Sequence, residues 1–273
     1  MIYILTVIYN HPVKEDSPYI YRASNFQNIV FDNSTIEDIK NHNLTFCKKH
    51  NILYETLNAN LGLSKAYNFI IKKYLKSEDW LVVMDDDTEV NSEYFNNVAH
   101  ITQNGNYLCY LSIFQYRLKR FGPKKFKNID KFKLRQTYEK KDMEGFLVGI
   151  NSCSVYSAKL FEKIGLFDEN LFMDYVDVDI CLRMAKAGLK SKTVDSGLVQ
   201  HFFSKEKHEY KVVVNRLSIQ KHDARNFYQK KLIKGKIRRK YLYHKDIIKF
   251  MLLYSLYNCI FWFIPLLFIK ARR

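Results

Sequence analysis

Three carboxylates stand together at Asp85, Asp86 and Asp87, directly behind the apolar run Leu81-Val82-Val83-Met84. Such a run reads as a buried strand. Unpaired charge in a low-dielectric interior is very costly, so the acids must emerge where the strand ends. Side chains two apart along a strand or its exit turn point the same way. Asp85 and Asp87 can therefore grip one divalent cation, and their hard oxygen atoms suit Mn2+ or Mg2+. A solvated acidic loop is the other reading of this stretch. A second acidic group follows downstream: Asp168, Glu169, Asp174, Asp177 and Asp179. It leads into an amphipathic helix that Gly188 stops. Asp177 and Asp179 fall at the start of that helix, where its dipole favours negative charge. Asp177 is the candidate general base, because a carboxylate at a cleft edge can take the proton of an attacking hydroxyl. His201 ends a later strand, as the three aspartates do. It could complete a metal shell, or be an ordinary core or surface histidine.

The elements that must position these residues alternate. Residues 2–9, 28–31, 51–57 and 81–84 read as strands, and residues 36–50, 63–75 and 92–102 as helices. This is the pattern of a mostly parallel, three-layer α/β sheet. In such a sheet the polar loops at Asn10, Asp32-Asn33, residues 58–62 and Asp85 to Asp87 line one edge. Their amide and acid side chains suit a base, a ribose and phosphates, and the edge reads as a nucleotide cleft. Beyond it, residues 107–114, 145–155 and 191–199 read as strands and 157–164 as a helix. Residues 117–141 carry 11 Lys/Arg against Asp130 and Glu139, and read as a loop or loosely helical excursion.

The net charge of +16 is a property of the tail. From Lys205 onward fall 18 of the 44 Lys/Arg but 4 of the 28 Asp/Glu. An anionic membrane surface or nucleic acid would attract such a tail. Residues 250–269 are uncharged, 20 in a row, and flanked by Lys249, Lys270, Arg272 and Arg273. That length could span a bilayer, lie in its interface among its aromatic residues, or pack as a core helix. Membrane contact is the favoured reading, with the basic residues on the cytoplasmic side. The five cysteines are scattered without paired spacing, which fits a reducing compartment and no zinc site. The apolar start is short and lacks a basic lead, so it reads as a first strand rather than a signal sequence.

In order along residues 2–204, these motifs resemble the family-2 glycosyltransferases of the GT-A fold. Thr6-Val7-Ile8-Tyr9-Asn10 resembles the family's first strand and nucleotide-binding exit. Asp32-Asn33-Ser34 resembles the loop at the base. Asn60-Leu61-Gly62, with Asn68 on the next helix, resembles the block near ribose and phosphates. Asp85-Asp86-Asp87 resembles the Asp-x-Asp metal motif, with Asp86 turned towards the ribose or a structural partner. His201 resembles the histidine that joins the metal in some members. Many members carry Glu-Asp at the base motif, where this chain has Val176-Asp177. The form Leu171-Phe172-Met173-Asp174-Tyr175-Val176-Asp177 is closer to bacterial rhamnosyltransferases, and galactofuranosyl transferases are also similar here. It leaves Asp177 as the expected base, with Asp174 second.

The resemblance implies a catalytic domain over 1–204 and a basic, mainly helical tail over 205–273. It implies an inverting transferase that uses a nucleotide-diphosphate sugar, a divalent cation and a lipid-linked glycan acceptor. Such an enzyme of bacterial surface polysaccharide synthesis would work at the cytoplasmic face of the inner membrane, peripherally or through a C-terminal anchor, and would not bind nucleic acid. Two rival enzyme classes fail on the residues. An Asp-x-Asp-x-Thr/Val phosphatase needs Thr or Val where Glu89 stands, and in the other register a second acid where Thr88 stands. No Gly-x-Gly-x-x-Gly follows the first strand, against a dinucleotide oxidoreductase. A non-enzymatic membrane- or nucleic-acid-binding module remains the alternative; it expects no nucleotide cleft.

Overall fold

The structure, a computed structural model, describes residues 1–15, 17, 20–86, 88–116, 119–135, 142–200, 210–231 and 238–252. The first half runs β1 (Ile2–Ile8), β2 (Phe26–Asp32), α1 (Glu37–Lys49), β3 (Leu53–Glu55), α2 (Leu63–Tyr74), β4 (Trp80–Met84), β5 (Thr88–Glu89) and α3 (Ser92–Asn104). Next come β6 (Cys109–Tyr116), β7 (Lys119–Phe121), β8 (Lys124–Asn128), β9 (Lys133–Arg135), β10 (Glu144–Gly145), β11 (Leu147–Val148) and β12 (Ser154–Ser157). α4 (Ala158–Ile164), α5 (Val176–Lys186), β13 (Ser191–Gln200) and α6 (Tyr210–Arg225) follow, then a π-helical turn at Asn226–Lys231 and helix α7 over 238–252.

β1 lies between β2 and β4 and is parallel to both, and β3 extends the row parallel to β2. Parallel neighbours cannot be joined by a hairpin, so the chain must cross over, and α1 and α2 make two of those crossings. The carboxyl ends of β4, β1, β2 and β3 therefore share one edge of the sheet. β12 is antiparallel to β4 and β6, and β13 returns parallel to β6. A strand enclosed in this way is apolar on both faces. Leu81, Val82 and Val83 are wholly buried. Each such side chain contributes about 1.5–3 kcal/mol relative to exposure. The fold is thus the α/β sheet with a helical C-terminal part that the alternation of segments led us to expect.

Three readings of the sequence differ from the structure. The basic segment is not a loop or helix where it is described: β8 and β9 pair antiparallel, and β8 also pairs with β11. The lysines hide a strand pattern, since Phe126 stands opposite Leu134 and meets the Phe132 ring edge-on at 6.0 Å. Residues 145–155 are not one strand either. They divide among β10 on β13, β11 on β8 and β12 on β4, with a loop at 149–153. Cys153 takes φ +55°, which a strand cannot accommodate. The third strand is shorter than expected, Leu53–Glu55.

The chain forms two compact units, Met1–Phe172 with Val176–Ser204, and Met173–Tyr175 with Lys205–Arg273. Among the described residues no helix is long and apolar enough to cross a membrane. Most of the 250–269 stretch, from residue 253 on, lies outside them.

Within the first unit α2 starts against the chain that approaches α5. Leu63 donates its backbone N–H to the Phe172 carbonyl at 2.6 Å. Gly62 sits at φ +79°, and a Cβ there would lie 2.4 Å from that same oxygen. Gly62→Ala therefore meets both a left-handed backbone and a backbone clash. Its expected cost is about 2–5 kcal/mol, the sum of those two effects. Urea unfolding followed by circular dichroism checks it, and a midpoint like that of the parent would contradict this packing.

Candidate functional site

At the end of β4 the chain leaves the core, and Asp85 and Asp86 are half-buried. A buried hydroxyl fixes this turn. The Asp85 N–H donates to Ser152 Oγ at 3.3 Å, and Ser152 Oγ lies 2.8 Å from Thr88 Oγ1. Burial raises the Asp86 carboxyl above the usual carboxylate range, opposed by the charge of His11 at the exit of β1. Asp87 and His201 lie outside the described residues. Their neighbours are described: Gln200 pairs with Thr88 across β13 and β5. Among the described residues no group of three or more His, Cys, Asp or Glu could hold a metal.

Asp177 lies in the first turn of α5, half-buried, and its Oδ1 accepts from the Val178 N–H at 2.7 Å. Asp179 is buried and pairs with Arg183 Nε at 2.9 Å, one turn along the helix. Arg183 also donates to the carbonyl of Ile164 at 2.7 Å, tying α5 to the end of α4. The two acids at this helix start thus differ in role, Asp179 being the structural one. Asp174 is gripped by Arg216, whose guanidinium meets both carboxylate oxygens, one at 2.7 Å.

A buried tyrosine links the two acidic groups. Tyr67 is on α2, and its phenol is driven well above its ordinary range, first by burial and then by the charges of Asp85 and Asp177. Both carboxylates therefore act on one phenol from different elements. Asn151, next to Ser152, interacts with Tyr67 and accepts from the Tyr156 hydroxyl at 2.7 Å. Asn151, Ser152 and Tyr67 were not singled out in the sequence. The polar pair Asn151-Ser152 inside an apolar run was the available signal.

The residues expected at the nucleotide make a hydrogen-bonded rim along the sheet edge. Asn10, at φ +49°, accepts from the backbone N–H of Thr35 at 2.8 Å, and its own N–H donates to Ser34 Oγ at 2.7 Å. Asn33 accepts from the Leu61 N–H and donates to the Gly62 carbonyl, each at 3.3 Å. Asn60 accepts from the Gly62 N–H at 3.2 Å. Asp32 is buried, and its oxygens accept from the Ser34 N–H (2.8 Å), Asn43 (2.9 Å) and the Tyr54 hydroxyl (3.0 Å). Asn68 is buried and clamps both backbone atoms of Phe167, at 3.0 and 2.9 Å, with Glu169 at 3.0 Å. Asp32 and Asn68 thus hold the rim from within. Thr6 Oγ1 is buried and has no hydrogen-bond partner among the described residues. Tyr9 is exposed.

Known proteins resemble this chain to differing extents. The family model for glycosyl transferase family 2 matches residues 19–165. The chain is 30% identical over 195 residues to the dTDP-rhamnosyl transferase RfbF of Shigella flexneri, an alignment covering 69% of this chain and 64% of that one. It is 26% identical over 198 residues to the low-salt glycan biosynthesis hexosyltransferase Agl10 of Haloferax volcanii, covering 67% of this chain and 62% of the other. The chain thus spans less than two thirds of these relatives' length. Among solved structures, S. aureus TarS superposes with a TM-score of 0.51 at 14% identity, over 85% of this chain and 40% of that one. The crystallised 1–349 portion of TarS gives 0.50 at 14% identity, over 95% of this chain and 74% of its own. These superpositions identify the fold as GT-A. Together with the family match and the RfbF identity, the sheet edge and its acidic strand end lead to one conclusion: the chain belongs to glycosyl transferase family 2.

Proposed function

We propose that the chain is an inverting glycosyltransferase that moves a sugar from a nucleotide-diphosphate donor to a hydroxyl of a lipid-linked glycan. The observation that carries this reading is the joint action of Asp85 and Asp177 on Tyr67. It supports a site with a phosphate-side acid on β4 and a proton-accepting acid on α5. Asp177 takes the acceptor proton as the acceptor oxygen bonds to the anomeric carbon. The bond from that carbon to the diphosphate breaks, and its electron pair leaves on the nucleoside diphosphate. Attack from the far face inverts the configuration. Asp174 is the weaker candidate for the base, because a guanidinium already binds its carboxylate.

The donor lies along the rim of Thr6, Tyr9, Asn10, Asn33, Asn60 and Gly62, with Asp86 towards the ribose. Asp32 and Asn68 shape that rim through their buried bonds. The oxygen donors at the strand end fit Mn2+ or Mg2+, since such ions commonly use one or two carboxylates together with substrate phosphates. Asp85 would hold the ion with Asp87 and His201. The register Gln200 to Thr88 supports that set, because these two residues adjoin His201 and Asp87 in the chain. Once bound, the ion would neutralise charge on the departing diphosphate.

RfbF's description as a dTDP-rhamnosyl transferase supports rhamnosyl transfer, with galactosyl or galactofuranosyl transfer the other options. The basic tail supports work at the anionic cytoplasmic face of a bacterial membrane, on O-antigen or capsule precursors.

Two outcomes test this. Asp177→Asn should lower kcat by about 10²–10⁴-fold, the usual worth of a general base, with donor binding retained. Turnover of a lipid-linked acceptor extract checks it, and full activity would remove Asp177 from the base role. In a thermal-shift panel of nucleotide sugars with Mn2+, one donor at a hundred times its Kd should stabilise by about 2.7 kcal/mol. EDTA should abolish that shift. No shift with any donor would return the non-enzymatic reading.

A further inference from the structure

Tyr175, two residues before Asp177, sits in the left-handed region at φ +63°. For a bulky aromatic residue that conformation is unfavourable and persists only where its surroundings over-determine it. Here they do. The Asp223 side chain is wholly buried, and its Oδ2 accepts from the backbone N–H groups of both Met173 and Asp174, at 2.8 Å each. Its Oδ1 lies 2.9 Å from His222 Nδ1. Arg216 grips the Asp174 carboxylate with a two-pronged bond and places its guanidinium 5.5 Å from the Phe250 ring centre. The Gln220 amide bridges the Asp174 carboxylate, at 2.7 and 2.9 Å, and the Tyr175 hydroxyl at 3.2 Å. That hydroxyl donates to Asp246 at 2.9 Å, and the Tyr228 hydroxyl donates to the same oxygen. The Tyr175 ring stacks on Phe227 at 5.1 Å and 13°.

Every one of these partners belongs to α6, the π turn or α7. The loop Met173–Tyr175 accordingly groups with the C-terminal part of the chain, while the residues on either side of it do not. A basic tail needed only to attract an anionic surface would have no use for a buried Asp223, a half-buried Asp246, a paired arginine and the rings of Phe227 and Tyr228 focused on three residues.

We propose that the C-terminal helices are a positioning latch for Asp177: Asp223, Arg216 and Asp246 hold Met173–Tyr175 in its left-handed turn, and that turn sets the direction in which the chain enters α5. This rests on Asp177 being the base. A base misplaced by about 1 Å can cost a hundredfold in rate, so the latch needs no contact with substrate to matter. Tyr175, Asp223 and Asp246 are positioning residues.

The Val178 N–H, bonded to Asp177 Oδ1 at 2.7 Å, reports on the position of that carboxylate. It lies in the first turn of its helix, where the N–H groups have no intrahelical partner. Residue-resolved hydrogen exchange on the full chain, as wild type, Tyr175→Phe and Asp223→Asn, reads it without any ligand. Both variants should speed exchange of the Val178 N–H at least tenfold. The amides of β4 should exchange as in the parent, which also shows that the variants fold. With the donor selected by thermal shift, kcat should fall 10–100-fold while the donor KM stays within twofold. Combining either change with Asp177→Asn should cost nothing beyond Asp177→Asn alone, since both act through one group. Unchanged Val178 exchange in both variants, unchanged kcat, or losses that multiply would overturn the latch. If Asp223→Asn fails to fold, Tyr175→Phe and Asp246→Asn decide the matter. Full activity in Asp177→Asn with accelerated Val178 exchange would instead show that the latch holds the loop but that the base has been misassigned.

Discussion

A strand that is buried on both faces cannot carry charge, so the chain can place carboxylates only where that strand ends. Leu81, Val82 and Val83 are wholly buried between β1 and β12, and Asp85 and Asp86 emerge half-buried beyond them. Parallel pairing then brings the exits of β1, β2 and β3 to the same edge. Every other feature of the site is built against that edge. The rim runs by hydrogen bonds from Asn10 through Ser34, Asn33 and Gly62 to Phe172, whose carbonyl meets the start of α2.

The electrostatics follow from the same edge. Tyr67 is buried, and burial first, then the charges of Asp85 and Asp177, raise its phenol well above its ordinary range. Burial, and after it the charge of Asp85, raises the neighbouring Cys153 thiol, and the Ser152 hydrogen bond opposes them. A cationic metal at Asp85 and a proton in transit at Asp177 would each find a negative partner, whereas Asp174 is already bound by the Arg216 guanidinium.

Much of this was legible because it is written locally. The apolar run into Asp85, the polar loops after each strand and the acidic start of α5 need only the period of the chain and the cost of burying charge. What was not legible is non-local. Asp32 and Asn68 looked like ligand contacts from their types, yet their partners, Asn43 and Tyr54 for one and Phe167 for the other, turn them inward. Ser152 is an ordinary serine until the fold brings Asp85 and Thr88 to it. The β8–β9 pair was hidden because exposed lysines surround the single less exposed apolar residue of each strand, Phe126 and Leu134, and give the look of a solvated loop. The capture of Met173–Tyr175 by residues from Arg216 to Asp246 depends on contacts that no local pattern encodes.

One nucleotide and one cation are proposed to share the edge formed by β4, β1, β2 and β3, with the cation at Asp85. The most direct measurement is an anomalous difference map from crystals grown with Mn2+ and dTDP. A manganese peak is expected about 2.1 Å from an Asp85 carboxylate oxygen, with the diphosphate beside it and the nucleoside along the Asn10 to Gly62 rim. A nucleotide bound elsewhere on the chain, or bound at that rim with manganese remote from Asp85, would contradict it.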